Sequence, residues 1–124
     1  MIALLDTHAL VWALEASPRL SATARDVIED TRNTILVSVA CAWEIELHKA
    51  LGRLEAPDDL EAVIEAAGFR RRLVTFADVR RLAGLPAHHG DPFDRMLVAQ
   101  AIEDGAPLVT SNPVVARYPV QVIW

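Results

Sequence analysis

Short apolar runs alternate with helical patterns along the whole of this 124-residue chain, and that alternation leaves few ways to fold it. Ile2 to Leu5 form an apolar run that stops at Asp6, and the THALVWAL behind it reads as a helix capped by Asp6 or Thr7. Ser17 and Pro18 punctuate that helix, Ser21 caps the next, SATARDVIED, and the polar turn Thr31 to Thr34 leads into a second strand, ILVSV. Ser38 or the residue after it starts a helix that carries Glu44 and ends near Gly52. In DDLEAVIEAAG the spacing from Asp58 to Glu61 is that of a capping box, with Gly68 as terminator. The basic triplet Arg70 to Arg72 precedes a short strand, Leu73 to Val74, and Thr75 with Asp78 repeats the capping spacing before DVRRLAG, which Gly84 and Pro86 close. Pro107 to Val109 run as a strand into the polar triplet TSN, a short segment with Arg117 follows, and a last strand covers Val120 to Trp124. The pattern predicts an α/β chain with a parallel sheet and helices on both faces. In such a sheet, ligands bind in the crevice beyond the carboxyl ends of the strands, where Asp6 sits.

The best-marked helix begins within HHGDPFDRMLVAQAIEDG, residues 88–105. Asp is a preferred cap, Pro is preorganised for the first helical position, and Gly105 stands where a left-handed terminating residue belongs. Asp91 and Asp94 therefore both lie within one turn of a helix N-terminus, where backbone N–H groups and the macrodipole favour negative charge. Asp91 taken alone reads as a cap. Asp94 gains meaning only if acids elsewhere in the chain converge on it.

The length suits one domain, residues 1–124, with a single core that needs neither disulfide nor structural metal. Charges interrupt the apolar residues every few positions, so no run approaches the roughly 18 needed to span a bilayer. The start of the chain lacks the basic and apolar regions of a signal peptide, and the expectation is a cytoplasmic protein without membrane contact. Cys41, the single cysteine, lies in an apolar stretch and reads as a small buried side chain. A net charge of −5 argues against a whole-surface nucleic-acid binder, although carboxylates that hold metal count toward that total.

Polar groups at strand ends and helix starts collect along one edge of a parallel sheet, so Asp6, Glu44, Asp91, Asp94 and the triplet Thr110, Ser111, Asn112 are candidate neighbours. Carboxylates gathered from separate elements repel one another unless a cation or shared protons offset the charge. Hard ions such as Mg²⁺ or Mn²⁺ take oxygen ligands and suit a few carboxylates plus a substrate phosphate.

Four stretches carry a family resemblance: LLDTHALVW, WEIELHKALGRL, HHGDPFDRMLVAQA and LVTSNPVVARYPVQVIW. In this order they resemble PIN-domain proteins, and among those the VapC-type toxins of toxin–antitoxin pairs, over nearly the whole chain. The resemblance implies a three-layer α/β/α domain with a five-stranded parallel sheet in the order 3-2-1-4-5. It also implies an Mg²⁺- or Mn²⁺-dependent endoribonuclease, a cognate antitoxin partner and a homodimer. Residue by residue, Asp6 matches the first-strand acid, Glu44 the helical acid, Asp94 the acid opening the later helix, and Asp91 an additional acid before it. All four are candidate metal ligands, and the first three carry the chemistry. Thr7, Thr110 and Asn112 are candidates to support them, and His48 or Lys49 to contact phosphate. The chain departs from the family at Asn112, which stands where a further Asp is common; an amide oxygen can coordinate but brings no charge, so one ion or two stays open. The chemistry implied is hydrolysis of an RNA phosphodiester by a water whose pKa the ion lowers.

Other readings compete with this one. A phosphatase with Asp6 as nucleophile would usually carry a second Asp two residues on, and position 8 is His8. A PIN-like module that binds RNA or a protein partner without cleaving is the alternative that Asn112 favours. Trp12 and Trp43 read as core residues on apolar helix faces, and Trp124 as a docked terminus. His88 and His89 lack a third ligand at a recognised transition-metal spacing. Arg70 to Arg72 read as a solvated turn, with steering of a polyanion as the functional alternative.

Overall fold

A computed structural model describes all residues, 1–124. Five strands form one parallel sheet: β1 (Ile2–Leu5), β2 (Thr34–Ser38), β3 (Arg70–Arg72), β4 (Leu108–Val109) and β5 (Val122–Ile123). Their order is β3-β2-β1-β4-β5, as expected. Helices α1 (Thr7–Leu14) and α2 (Ala22–Glu29) connect β1 to β2, while α3 (Val39–Ala50) and α4 (Leu60–Ala66) connect β2 to β3. The return to β4 runs through α5 (Phe76–Ala83) and α6 (Pro92–Asp104), giving a three-layer α/β/α arrangement. A 3-10 turn, Val115–Arg117, joins β4 to β5. No helix is long and apolar enough to cross a membrane.

The central strands are apolar because helices cover both their faces. Ala3, Leu4 and Leu5 are fully buried and pack with Leu10, Ile45, Leu97, Val98 and Leu108 in one core. The register brings the strand ends level: Leu5 lies opposite Val37 on one side and Val109 on the other. The next residues, Asp6, Ser38 and Thr110, therefore emerge in one row. Asp6 and Ser38 each turn the chain into a helix, capping α1 and α3 through bonds to the N–H groups of Ala9 and Ala40.

Helix α6 has the predicted ends. Asp91 accepts from the N–H groups of Phe93 and Asp94, Pro92 takes the first position, and Gly105 adopts a left-handed φ of 59°. A side chain there would be strained although nothing crowds the position. Two local expectations are corrected. Helix α4 is capped by Asp59, which accepts from Ala62 N–H, and not by Asp58, whose carboxylate pairs with Lys49 at 3.0 Å. The third strand is the basic triplet itself, paired with Leu36–Ser38, whereas Leu73 and Val74 are exposed in the turn after it. β3 is an edge strand, and edges tolerate charge.

Arg72 also has a role that its place in a run of arginines concealed. It clamps Asp78 with two bonds of 2.8 and 2.9 Å and reaches Asp104 at 2.8 Å. Asp78, fully buried, additionally accepts from Thr75 N–H and the Gln100 amide. Burial alone would raise the Asp78 pKa, but the bonds from Arg72, Thr75 and Gln100 hold it below the usual carboxylate range. This network ties β3, α5 and α6 together.

Candidate active site

Four acids from three parts of the chain approach one another beyond the carboxyl ends of β1, β2 and β4. Asp6 is nearly buried, with 6% of its surface exposed. Its Oδ1 accepts from Ala9 N–H at 2.7 Å and its carboxylate also bonds the Thr110 hydroxyl. Glu44 comes from the second turn of α3 and accepts from the Thr7 hydroxyl at 2.5 Å, while His48, one turn later, lies 3.8 Å from its other oxygen. Asp94 projects from the first turn of α6 and is held by two donors: the Asn112 amide at 3.2 Å and His89 Nε2 at 3.4 Å.

These carboxylates sense each other. The pKa values of Asp6, Glu44 and Asp94 are all raised, in each case chiefly by burial. Repulsion adds to this: Asp94 acts on Asp6, Asp91 and Asp94 on Glu44, and Asp91 on Asp94. Hydrogen bonds from Thr110 and Ala9, from Thr7, and from His89 and Asn112 oppose the rise without cancelling it. Cys41 lies fully buried beneath the cluster, its Sγ 3.5 Å from the Leu5 carbonyl. Burial pushes its thiol to about 12, with further contributions from Asp6, Glu44 and Asp94.

A third layer orients Asp94. His89 Nδ1 lies 2.7 Å from the Tyr118 hydroxyl, which also receives a 3.0 Å bond from Arg95. A guanidinium can only donate, so the Tyr118 oxygen accepts from Arg95 and its own proton is available to Nδ1. That arrangement suits the tautomer with its proton on Nε2, the nitrogen that faces Asp94. Tyr118 is buried, and Arg95 is fixed by the Pro86 carbonyl at 2.8 Å. The sequence reading passed over this role of His89 and missed Tyr118 and Arg95. The adjacency of Arg95 to Asp94 was its only visible signal.

The remaining candidates separate. Asn112 donates from Nδ2 to Asp94 while its Oδ1 accepts from Val114 N–H, so it presents a donor and not a ligand oxygen to the cluster. The Thr110 hydroxyl also accepts from Asn112 N–H. Lys49 is occupied by Asp58 and the Pro57 carbonyl, leaving His48 as the member of that pair beside Glu44. Trp43 is a correction: 64% of its surface is exposed, and it meets the edge of Phe93 at 4.9 Å instead of entering the core. Trp12 is partly buried and packs on Trp124 at 5.7 Å.

No group of three His, Cys, Asp or Glu side chains stands placed to hold an ion, and the carboxylates of Asp6, Glu44 and Asp94 each bond a protein donor. In donor chemistry the set fits a hard divalent cation: oxygen ligands, and carboxylates whose pKa values are raised by burial and further by mutual repulsion. A larger cavity, about 940 Å³, lies away from the acids near the start of β2, lined by Leu14, Leu20, Ile35 and Phe69 among others.

The PIN domain family model matches residues 3–121. The chain belongs to the PIN domain family. Within this PIN chain, a 45-residue stretch is 47% identical to Ribonuclease VapC16 of Mycobacterium tuberculosis. That stretch covers 33% of the chain and 32% of the relative, so the match spans about a third of the curated protein. Among solved structures, the PIN chain superposes on a chain of VapBC2 from Rickettsia felis, bound to a DNA fragment from its promoter, with a TM-score of 0.71 and 16% identity. The match covers 98% of this chain and 97% of that one. DNA-bound VapBC from Salmonella typhimurium gives 0.72 at 17% identity, covering 98% and 96%. At such identities these likenesses establish the shared fold.

Proposed function

We propose that this PIN-domain protein is a metal-dependent endoribonuclease and the toxin of a toxin–antitoxin pair, acting in the cytoplasm. The observation that carries the reading is the convergence of Asp6, Glu44 and Asp94 from separate elements, each with a raised pKa. An ordinary surface has no use for such an arrangement, whereas a cation-binding site requires it. The family match, the VapC16 stretch and the likeness to VapBC complexes support the toxin role and a protein antitoxin as partner. A homodimer rests on the family resemblance.

Asp6, Glu44 and Asp94, with Asp91 assisting, would hold Mg²⁺ or Mn²⁺. When bound, that ion supplies Lewis acidity, lowering the pKa of water and offsetting charge on the phosphate oxygens. The chain supplies position. Ala9 N–H and Thr110 fix Asp6, Thr7 fixes Glu44, and Asn112 with His89 fixes Asp94, so each carboxylate has one oxygen oriented by a protein donor. His48 beside Glu44 is the candidate phosphate contact.

Single-stranded RNA incubated with purified protein and Mg²⁺ or Mn²⁺ tests the reading. Cleavage that chelation stops, and that Asp6→Ala or Asp94→Ala abolishes while the circular dichroism spectrum persists, is the expected result. Wild-type activity in both variants would overturn the site. Absence of cleavage together with tight antitoxin binding would favour a binding module.

A further inference from the structure

Beside Glu44 lies a second feature that the proposed hydrolysis does not use. A cavity of about 350 Å³ opens between α1 and the loop after α3, lined by Thr7, His8, Trp12, Arg19, His48 and Arg53 among others. It adjoins the acid cluster directly, because Thr7 bonds one oxygen of Glu44 and His48 lies near the other.

Its chemistry is that of a nucleotide site. His8 stacks on Trp12 with ring centroids 5.3 Å apart and planes within 12°. Trp12 is partly buried and also packs on Trp124, with ring centroids 5.7 Å apart, while His8 at the other end of the stack is exposed. A flat base is the natural next layer. The guanidiniums of Arg25, Arg32, Arg71, Arg72, Arg81 and Arg95 are all engaged by protein acceptors. Those of Arg19, Arg53, Arg70, Arg80 and Arg117 are not, and of these Arg19 and Arg53 face this one cavity. Planar, weakly hydrated cations of this kind suit a phosphate, and Glu15 is the only acid in the lining. In a chain of charge −5, a cation pair placed here counters the repulsion that the acid cluster exerts on an incoming polyanion.

We propose that this cavity is a subsite for one nucleotide of single-stranded RNA adjoining the cleaved phosphate. The His8–Trp12 stack takes the unpaired base, and Arg19 with Arg53 takes its phosphate. The subsite rests on the ribonuclease reading for its role in turnover, but binding alone can test it.

Two measurements on the full chain separate the two claims. In the first, metal-free protein is titrated with a pentanucleotide RNA and followed by the Trp12 indole ¹H–¹⁵N resonance. The Trp12 signal is expected to move. Arg19→Ala with Arg53→Ala should weaken binding about tenfold and lower the salt slope by roughly 0.7, the value for one phosphate neutralised on a single strand. Arg19→Lys with Arg53→Lys, which keeps the charge, should restore most of that slope, and His8→Ala should weaken binding without changing it. In the second, cleavage kinetics with Mg²⁺ or Mn²⁺ should show the arginine pair raising KM with kcat within about threefold. Unchanged affinity and salt slope in the Arg-to-Ala pair would overturn the subsite, as would lost affinity for the antitoxin with RNA binding intact. A wild-type protein that binds the pentanucleotide through these residues but never cleaves RNA would overturn the ribonuclease reading and leave the subsite standing.

Discussion

The side-chain amide of Asn112 donates to Oδ2 of Asp94 across 3.2 Å. The sequence had placed Asn112 where a further acid is common, which made it a weakened ligand. The geometry makes it a donor that steadies a carboxylate already under repulsion from Asp91.

Replacing that donor by an acid should therefore convert support into repulsion. Asn112→Asp is expected to destabilise the metal-free protein by about 1–3 kcal/mol, the cost of losing a bond to a partly buried charged group. It should also gain more stability than the wild type on addition of Mn²⁺, because a fifth carboxylate joins the set. Thermal unfolding with and without the ion checks both; equal ion responses in the two proteins would show that Asn112 is remote from any binding site.

The raised pKa values of Asp6, Glu44 and Asp94 fix the sign of a pH effect. The folded protein binds protons at these sites more tightly than the unfolded chain does. Their contribution to stability is thus most favourable below the ordinary carboxylate values of about 4 and is lost as pH rises through the raised ones. A saturating divalent ion, which binds the ionised form, should flatten this dependence. Urea unfolding of wild type and the Asp6→Asn, Asp94→Asn double variant between pH 4 and 7 measures it, since the variant keeps only Glu44 of the three and should lose less stability than the wild type.

Asp78 contributes with the opposite sign. Its pKa is lowered, so the stability it provides is complete above its unfolded value of about 3.9 and disappears as pH falls through the folded one. Asp78→Ala at neutral pH should cost about 3 kcal/mol, because it removes two bonds from a largely buried Arg72 and leaves Asp104 as its one acidic partner. Replacing both partners by apolar residues, Arg72→Met with Asp78→Leu, should cost far less. Denaturant midpoints of the single and double variants measure that difference.

The relay behind Asp94 makes a spectroscopic prediction. Imidazole ¹⁵N shifts should report His89 as the tautomer protonated on Nε2, and Tyr118→Phe should abolish that preference while leaving the fold intact. An Nδ1-protonated His89 in the wild type would rule out the bond order inferred from Arg95 and Tyr118.

Local signals were legible in the sequence because they are local. Asp91, Pro92 and Gly105 act on their own helix, and the apolar run before Asp6 needs only a buried strand to explain it. Adjacent acids blurred the choice of cap between Asp58 and Asp59, since either one offers a carboxylate to the same turn. Trp43 misled because α3 carries apolar side chains on several faces and only one of those faces meets the core. The Arg72–Asp104 and His89–Tyr118 pairs join residues about thirty positions apart, and no periodicity encodes such meetings. For the site, strand-end logic brought Asp6 and Asp94 into one neighbourhood, but the donors that hold Asp94 appear only when α6, the TSN turn and Tyr118 are assembled.

The lone thiol of Cys41 gives the acid cluster a built-in clock. Sealed beneath the carboxylates and held protonated at neutral pH, it is inert to alkylating reagents while the site stays closed. Its modification rate therefore counts how often α3 and the end of β1 part company, and anything that clamps the carboxylates together from above should slow that count without touching the sulfur.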